Sequence, residues 1–155
     1  MGLITNVDRL KPELAKRVHN MLDYCKEKNV AVIVIETLRT IEVQTAYKAQ
    51  GRESLETVNS LRRKAGLWTI TADENKRTVT NTMSSKHLTG EAIDIAPLKN
   101  GQVWWSAPQQ VWEELGLIAE TFGLDWCAGG YGQIWGKGWD SDHFELLANW
   151  PGAKK

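Results

Sequence analysis

Apolar residues recur at helical spacing early in the chain. Leu14, Val18, Met21, Leu22 and Cys25 fall on one face of a segment running from Lys11 to Lys28. Pro12 suits the first turn of that helix, and Asn29 can stop its far end. Val30 to Ile35 then gives six apolar residues in a row, mostly β-branched, which predicts a buried strand. Thr40 can cap a short helix from Ile41 to Gln50, closed by Gly51. A weaker amphipathic pattern (Leu55, Val58, Leu61) predicts a helix from Ser54 to Ala65. Residues 69–84 are polar and Thr-rich and read as a mobile loop with room for a short strand. Glu91 to Ala96 and Gln102 to Trp105 read as strands about the Asn100-Gly101 turn. Ser106 and Gln109 fit a capping box, with Pro108 in the first turn of a helix that runs to Phe122. Its inward face carries Val111, Trp112, Leu115, Ile118, Ala119 and Phe122, and Gly123 ends it. Short strands at Asp125–Cys127 and Asp142–Leu146 flank a Gly-rich connection. Helices and short strands segregated in this way predict an α+β fold, one small domain over residues 1–155 with no second domain.

Composition changes this picture at one point. The chain has 155 residues, 42% of them hydrophobic, which is enough for a core. It has 8 Trp against 2 Phe and 3 Tyr, and all but one of the Trp lie after residue 103. Trp joins a large apolar face to a polar N–H, so such an excess suits a binding cleft as well as a core. Trp112 lies on a helix's apolar face and is expected in the core. Trp104 and Trp105 are neighbours in a strand, so at most one faces inward. Trp135 and Trp139 stand close to a chemically suggestive histidine and are expected to wall a cleft.

Charge and cysteine mostly exclude. The formal net charge is zero, so there is no global electrostatic case for a nucleic-acid or anionic-membrane partner. Arg62-Arg63-Lys64 reads as a solvated helix face. Two cysteines make no disulfide framework, and Cys25 reads as a buried thiol. No stretch approaches a membrane span, and no secretory signal is visible at the N-terminus.

Three histidines carry the candidate chemistry. His19 sits in the first helix and is given no role. His87 opens Ser85-Lys86-His87-Leu88-Thr89-Gly90-Glu91-Ala92-Ile93-Asp94, and His143 lies in Asp140-Ser141-Asp142-His143-Phe144-Glu145. Two histidines and a carboxylate are a catalytic zinc set. Seven residues from His87 to Asp94 fit no single helical face, but a turn at Thr89-Gly90 followed by a strand brings both to one metal. On spacing alone, two structural histidines satisfied by hydrogen bonds remain the simpler reading.

The two motifs together resemble the zinc peptidases of peptidoglycan. That family includes vancomycin-resistance D-alanyl-D-alanine dipeptidases, related carboxypeptidases and phage L-alanyl-D-glutamate endolysins. The resemblance rests on Ser85-x-His87-x-x-Gly90-x-Ala92-x-Asp94 and Asp140-x-x-His143-Phe144-Glu145. It extends to Leu38-Arg39-Thr40, Gln44 and Gln50-Gly51-Arg52, and so covers about residues 30–147. It implies one Zn²⁺ held by His87, Asp94 and His143 on a short, mostly antiparallel sheet. It implies Asp140 as general base, Arg39 on the substrate carbonyl and oxyanion, and Ser85 near the substrate's binding groups; Trp139, expected from its position near His143 to wall the same cleft, is read as a further substrate-binding residue. One departure is visible: Asp142 stands where endolysin-like members often have Pro. In a strand, Asp142 would point away from the face of His143, which favours Asp140 as the base. Glu145 reads either as an orienting partner for a ligand or as a solvent-facing strand residue.

The resemblance implies a zinc-dependent hydrolase of peptidoglycan stem peptides, most like the L-alanyl-D-glutamate endopeptidases; a monomer is expected, although no sequence feature reads out the oligomeric state. The alternatives it leaves are a D-alanyl-D-alanine carboxypeptidase and a non-catalytic, zinc-stabilised wall-binding module. An endolysin of this kind is made in the bacterial cytoplasm and meets the wall after phage-mediated release. Residues 52–84 read either as a substrate-facing flap or as a disordered insertion.

Overall fold

The structure, a computed structural model, describes residues 2–126 and 141–154. Helix α1 (Pro12–Glu27) presents Leu14, Val18, Met21 and Cys25 at successive turns, and all four are buried. Asn29 takes a left-handed φ of 58° just after it, a conformation Asn tolerates better than most residues, and turns the chain into β1 (Val32–Glu36). Helix α2 (Ile41–Ala49) is capped by the Thr40 hydroxyl, which accepts from Val43 N–H at 3.2 Å. Ser54 does the same for α3 (Leu55–Lys64). Strands β2 (Ala92–Lys99) and β3 (Gln102–Val103), helix α4 (Gln109–Thr121), and strands β4 (Leu124–Asp125) and β5 (His143–Leu146) follow.

All strand pairs are antiparallel, in the order β1-β2-β5-β4, with β3 on β2. Because β2 is central, its side chains are buried from Ala92 to Pro97. Ile93 and Ile95 point to α1 and α4, where Trp112, Leu115, Trp126 and Phe144 complete the core. Trp126 stacks on Phe144 at 6.4 Å and leaves room only for a glycine at 116. A second, smaller cluster of Val43, Ala46 and Leu67 sits under α2 and α3. The arrangement is the expected α+β one.

Details differ from the pattern-based reading. Helix α4 starts at Gln109, with Pro108 at the N-cap and no side-chain cap. Ser106 therefore does not cap it: Gln109 opens the helix, so it is not placed to reach back to a cap three residues earlier. Strand β3 stops at Val103, short of both tryptophans, yet only one of Trp104 and Trp105 faces inward, as expected. Trp104 packs against the core under Lys99, while Trp105 is 58% exposed and stacks on Trp112. Residues 69–84 contain one short 3-10 turn (Glu74–Lys76), and hydrogen bonds from the α2–α3 region tie the segment down. The Gly-rich connection and Cys127 lie outside the described residues. Among the described residues, no helix is long and apolar enough to cross a membrane.

Candidate metal centre

The register of the sheet builds the site. Val34 pairs with Ile95, and the next pair is Glu36 with Asp94. Ile35 is the extra residue of a bulge; without it, Ile35 would stand opposite Asp94. Across the other edge of β2, Asp94 pairs with His143. Directly opposed residues share a sheet face, so Glu36, Asp94 and His143 form one row across three strands. Asp94 is the one polar residue in the buried stretch Ala92–Pro97 of β2.

His87 comes from a turn, not a strand. The Ser85 hydroxyl accepts from His87 N–H at 3.2 Å and caps the 3-10 turn Lys86–Thr89. Gly90 ends the turn at φ 74°, and a Cβ there would lie 3.2 Å from Arg9 O and Lys11 N. The His87 carbonyl accepts from Arg39 N–H at 2.9 Å, which binds the two loops together.

Ring orientation decides what the histidines offer. His87 Nδ1 is 2.8 Å from the Thr37 carbonyl oxygen, which can only accept, so Nδ1 carries the proton. In the tautomer that this selects, Nε2 turns a lone pair toward Asp94 Oδ1 at 3.1 Å. His143 Nε2 is 2.9 Å from Glu145 Oε2, and its Nδ1 is 3.4 Å from the same Asp94 Oδ1. With Glu145 accepting from Nε2–H, Nδ1 also presents a lone pair. Two lone pairs and an anionic oxygen converging on one point need a cation between them. All three donor atoms lie within 4.8 Å of one another. Bonds of about 2.0–2.1 Å to a tetrahedral ion would separate its ligands by about 3.3 Å, close to the 3.1 and 3.4 Å seen. The set fits a metal ion. When no cation lies there, protons between the rings and Asp94 Oδ1 take its place: burial raises the Asp94 carboxyl, but those hydrogen bonds from His143 and His87 outweigh it and hold it below the usual carboxylate range.

A further ion pair supports His143. Glu145 Oε1 accepts from Lys86 Nζ at 2.8 Å while its Oε2 faces the imidazole. Burial works against the Glu145 charge, and the His143 and Lys86 hydrogen bonds overcome it and lower its pKa. Lys86 adjoins the first histidine and Glu145 lies two residues past the second, so this pair clamps two ligand-bearing elements together.

The site opens into a cavity of about 870 Å³ lined by His87, Asp94, His143, Arg39, Ser85, Lys86 and Tyr47, with Trp105 and the Thr-rich segment 78–82 also on its walls. Arg39 gives Nε and Nη2 to Glu36, at 2.6 Å for the shortest contact, and Nη1 to Gln44 Oε1 at 2.9 Å. Its guanidinium lies 4.9 Å from the Tyr47 ring centroid. Burial opposes the Arg39 charge, yet the Glu36 hydrogen bonds and charge raise its pKa. The Tyr47 hydroxyl is pushed up to about 12, by burial first and then by Glu36.

The structure thus brings together His87, Asp94, His143, Arg39 and Ser85. Asp140 and Trp139, and Trp135 with them, lie outside the described residues. Asp142 precedes β5 rather than sitting in it, and it lines the cavity. Strand alternation therefore does not by itself turn Asp142 away from the side of His143. Sequence reading gave no role to Glu36 or Tyr47. The only signal for Glu36 is a carboxylate ending a β-branched run three residues before Arg39. His19 bonds Asp8 at the surface at 2.8 Å, and Cys25 is buried as expected.

Residues 65–147, more than half of the chain, match the family model described as phage L-alanyl-D-glutamate peptidase. The chain is 39% identical over 75 residues to the L-alanyl-D-glutamate peptidase of Escherichia phage T5. That match covers 41% of this chain and 54% of the relative, so the chain spans about half the length of this curated protein. Among solved structures it resembles the Serratia marcescens L-Ala D-Glu endopeptidase ChiX, with a TM-score of 0.56 at 21% identity over 92% of this chain and 84% of that one. It also resembles the vancomycin-resistance D,D-pentapeptidase VanY from a VanB-type cassette, in complex with Zn(II), with a TM-score of 0.53 at 17% identity over 94% and 77%. At these identities the structural likeness establishes the fold.

Proposed function

The chain belongs to the phage L-alanyl-D-glutamate peptidase family, and from that premise we propose that it is a zinc-dependent peptidase cutting peptidoglycan stem peptides between L-alanine and D-glutamate. The observation that carries the reading is the convergence of two imidazole lone pairs on Asp94 Oδ1 beside the Arg39-lined cavity. Two histidines and one carboxylate are the donor set of catalytic zinc with an open position. When bound, Zn²⁺ supplies a Lewis acid that polarises the scissile carbonyl and makes water nucleophilic at neutral pH.

The chain's own residues do the rest. Arg39 spends three N–H bonds on Glu36 and Gln44, which leaves one N–H on each terminal nitrogen. Those two donors are positioned in advance for the oxyanion that develops on the attacked carbonyl. Glu36 thereby acts as the splint for Arg39. Asp140, three residues before His143, takes the proton from the attacking water and returns it to the leaving amine. Asp142 is the competing carboxylate.

The charge pattern of the cavity supports cleavage within a chain over removal of a terminal residue. A carboxypeptidase needs a cation for the substrate's terminal carboxylate. Among the described residues, the cavity's Arg39 is paired with Glu36 and its Lys86 with Glu145. Digestion of purified murein followed by mass spectrometry tests the bond. Stem peptides beginning at D-Glu are the expected product; release of free D-Ala alone would assign a carboxypeptidase instead.

The clamp on His143 makes a separate prediction. Glu145→Gln keeps the shape but removes the charge facing His143 Nε2, and partners of this kind set ligand basicity. Zinc affinity should fall about tenfold, read by competition with a chromophoric chelator. An unchanged affinity would mean that Glu145 does not support the ligand.

A further inference from the structure

Resting on the peptidase reading, we propose that Trp105 is a sugar platform on the wall of the metal cavity. It holds the N-acetylmuramoyl ring that carries the stem peptide, so the chain prefers glycan-attached peptide to free peptide.

The register brings Trp105 to the cavity. Ile95 N–H donates to the Asp142 carbonyl at 2.8 Å, and Trp104 N–H donates to the Pro97 carbonyl at 2.8 Å. Residues two apart in a strand turn their backbone groups to the same edge, so β5 and β3 follow one another along one edge of β2. Strand β1, and the turn with Arg39 after it, lie along the other edge. Trp105 therefore enters the cavity from the edge of β2 opposite that of Arg39. Among the described residues it is the only tryptophan on the cavity wall.

The ring is fixed from behind and open in front. Trp105 stacks on Trp112, with centroids 6.2 Å apart and planes 22° apart, and Trp112 is itself buried in the core. More than half of Trp105, 58%, stays exposed. An aromatic side chain held in this way offers a large contact area at little cost in ordering when a ligand arrives.

The chemistry of that face selects among the groups of the substrate. An indole face is electronegative and repels the D-Glu carboxylate. Lys99 Nζ lies 4.4 Å from the centroid of the adjoining Trp104 ring, and its charge disfavours a second ammonium from a diamino acid further along the peptide. The L-Ala methyl is too small to cover an indole. The muramoyl pyranose is neutral and presents a broad face of C–H bonds. It is joined through its lactyl group to the L-Ala nitrogen, one residue from the bond to be cut.

Two soluble substrates test this. Both contain L-Ala–D-Glu–L-Lys; one carries N-acetylmuramic acid on the L-Ala nitrogen and the other only an acetyl group. With the zinc-loaded protein, Trp105→Ala should raise KM for the muramoyl peptide about tenfold, the scale of one lost aromatic contact. KM for the acetyl peptide, and kcat for both, should stay within about twofold, with zinc affinity unchanged. Trp105→Phe keeps an aromatic face against Trp112 and should recover most of the loss. Where the alanine variant does not fold, Trp105→Leu, which keeps apolar bulk without an aromatic face, makes the same comparison. Equal KM losses on both substrates assign the ring to the peptide, and no loss on either assigns it to packing. Both results overturn the sugar platform and leave the peptidase reading standing. Cleavage of neither substrate by the wild-type protein sinks the peptidase reading, and calorimetric titration with the muramoyl peptide then decides the platform. A Kd about tenfold weaker in Trp105→Ala supports it, and an equal Kd overturns it.

Discussion

Exhaustive chelation is expected to abolish murein hydrolysis and lower the melting temperature, and added Zn²⁺ is expected to restore both. Thr37 fixes the proton of His87 on Nδ1 and Glu145 fixes that of His143 on Nε2, so both remaining nitrogens face Asp94 Oδ1 with lone pairs. With the cation removed, that arrangement is electrostatically unfavourable, and protons or side-chain movement must relieve it. Zinc that binds only the folded chain stabilises it by about 4 kcal/mol at a thousandfold excess over Kd. For a chain of this size that is roughly a 10 °C rise in melting temperature. His87→Ala removes one ligand and should lose both the activity and the zinc-dependent rise. Undiminished hydrolysis by protein verified to be metal-free would end the metallopeptidase reading.

The set of His87, Asp94 and His143 was legible through the resemblance that its two motifs carry together, and not from spacing alone. Within the first motif Ser85 caps, Gly90 turns, and Asp94 interrupts an apolar strand, all within ten residues. The helices were legible directly: α1 and α4 bury one face each, and burial imposes a period on the sequence. What the sequence hid is what depends on register. Nothing in Val32–Glu36 says that Ile35 bulges, yet the bulge alone places Glu36 opposite Asp94 and within reach of Arg39. The ladder of Gln44, Lys48 and Arg52 onto residues 80–82 was equally hidden. It joins polar side chains to backbone carbonyls about 30 residues away, and a carbonyl is present at every position. A polar, Thr-rich segment therefore read as mobile, although its partners lie on the neighbouring helix. The misplaced cap of α4 has a smaller cause: a Ser two residues upstream of the true N-cap fits the capping-box pattern equally well.

Asp140→Asn is expected to lower kcat by about 10²–10⁴, the range a positioned general base supplies. KM, zinc affinity and melting temperature should change little, because the substitution is nearly isosteric and the three ligands are untouched. The basic capacity is lost, so the limb of the pH–rate profile that reports the base should vanish with it. Asp142→Asn is the necessary companion, because the structure removes the reason for setting that residue aside. Asp142 precedes β5, its carbonyl accepts from Ile95 N–H at 2.8 Å, and it lines the same cavity as the ligands. Fixing the carbonyl to the sheet end fixes where its side chain starts, and a carboxylate there raises the negative field around the ligands. Its removal should therefore alter kcat less than tenfold, an effect of field and not of proton transfer, with the pH limb retained. Should the large loss and the missing limb follow Asp142→Asn instead, the base is Asp142, and the motif-based choice of Asp140 falls while the metal centre stands.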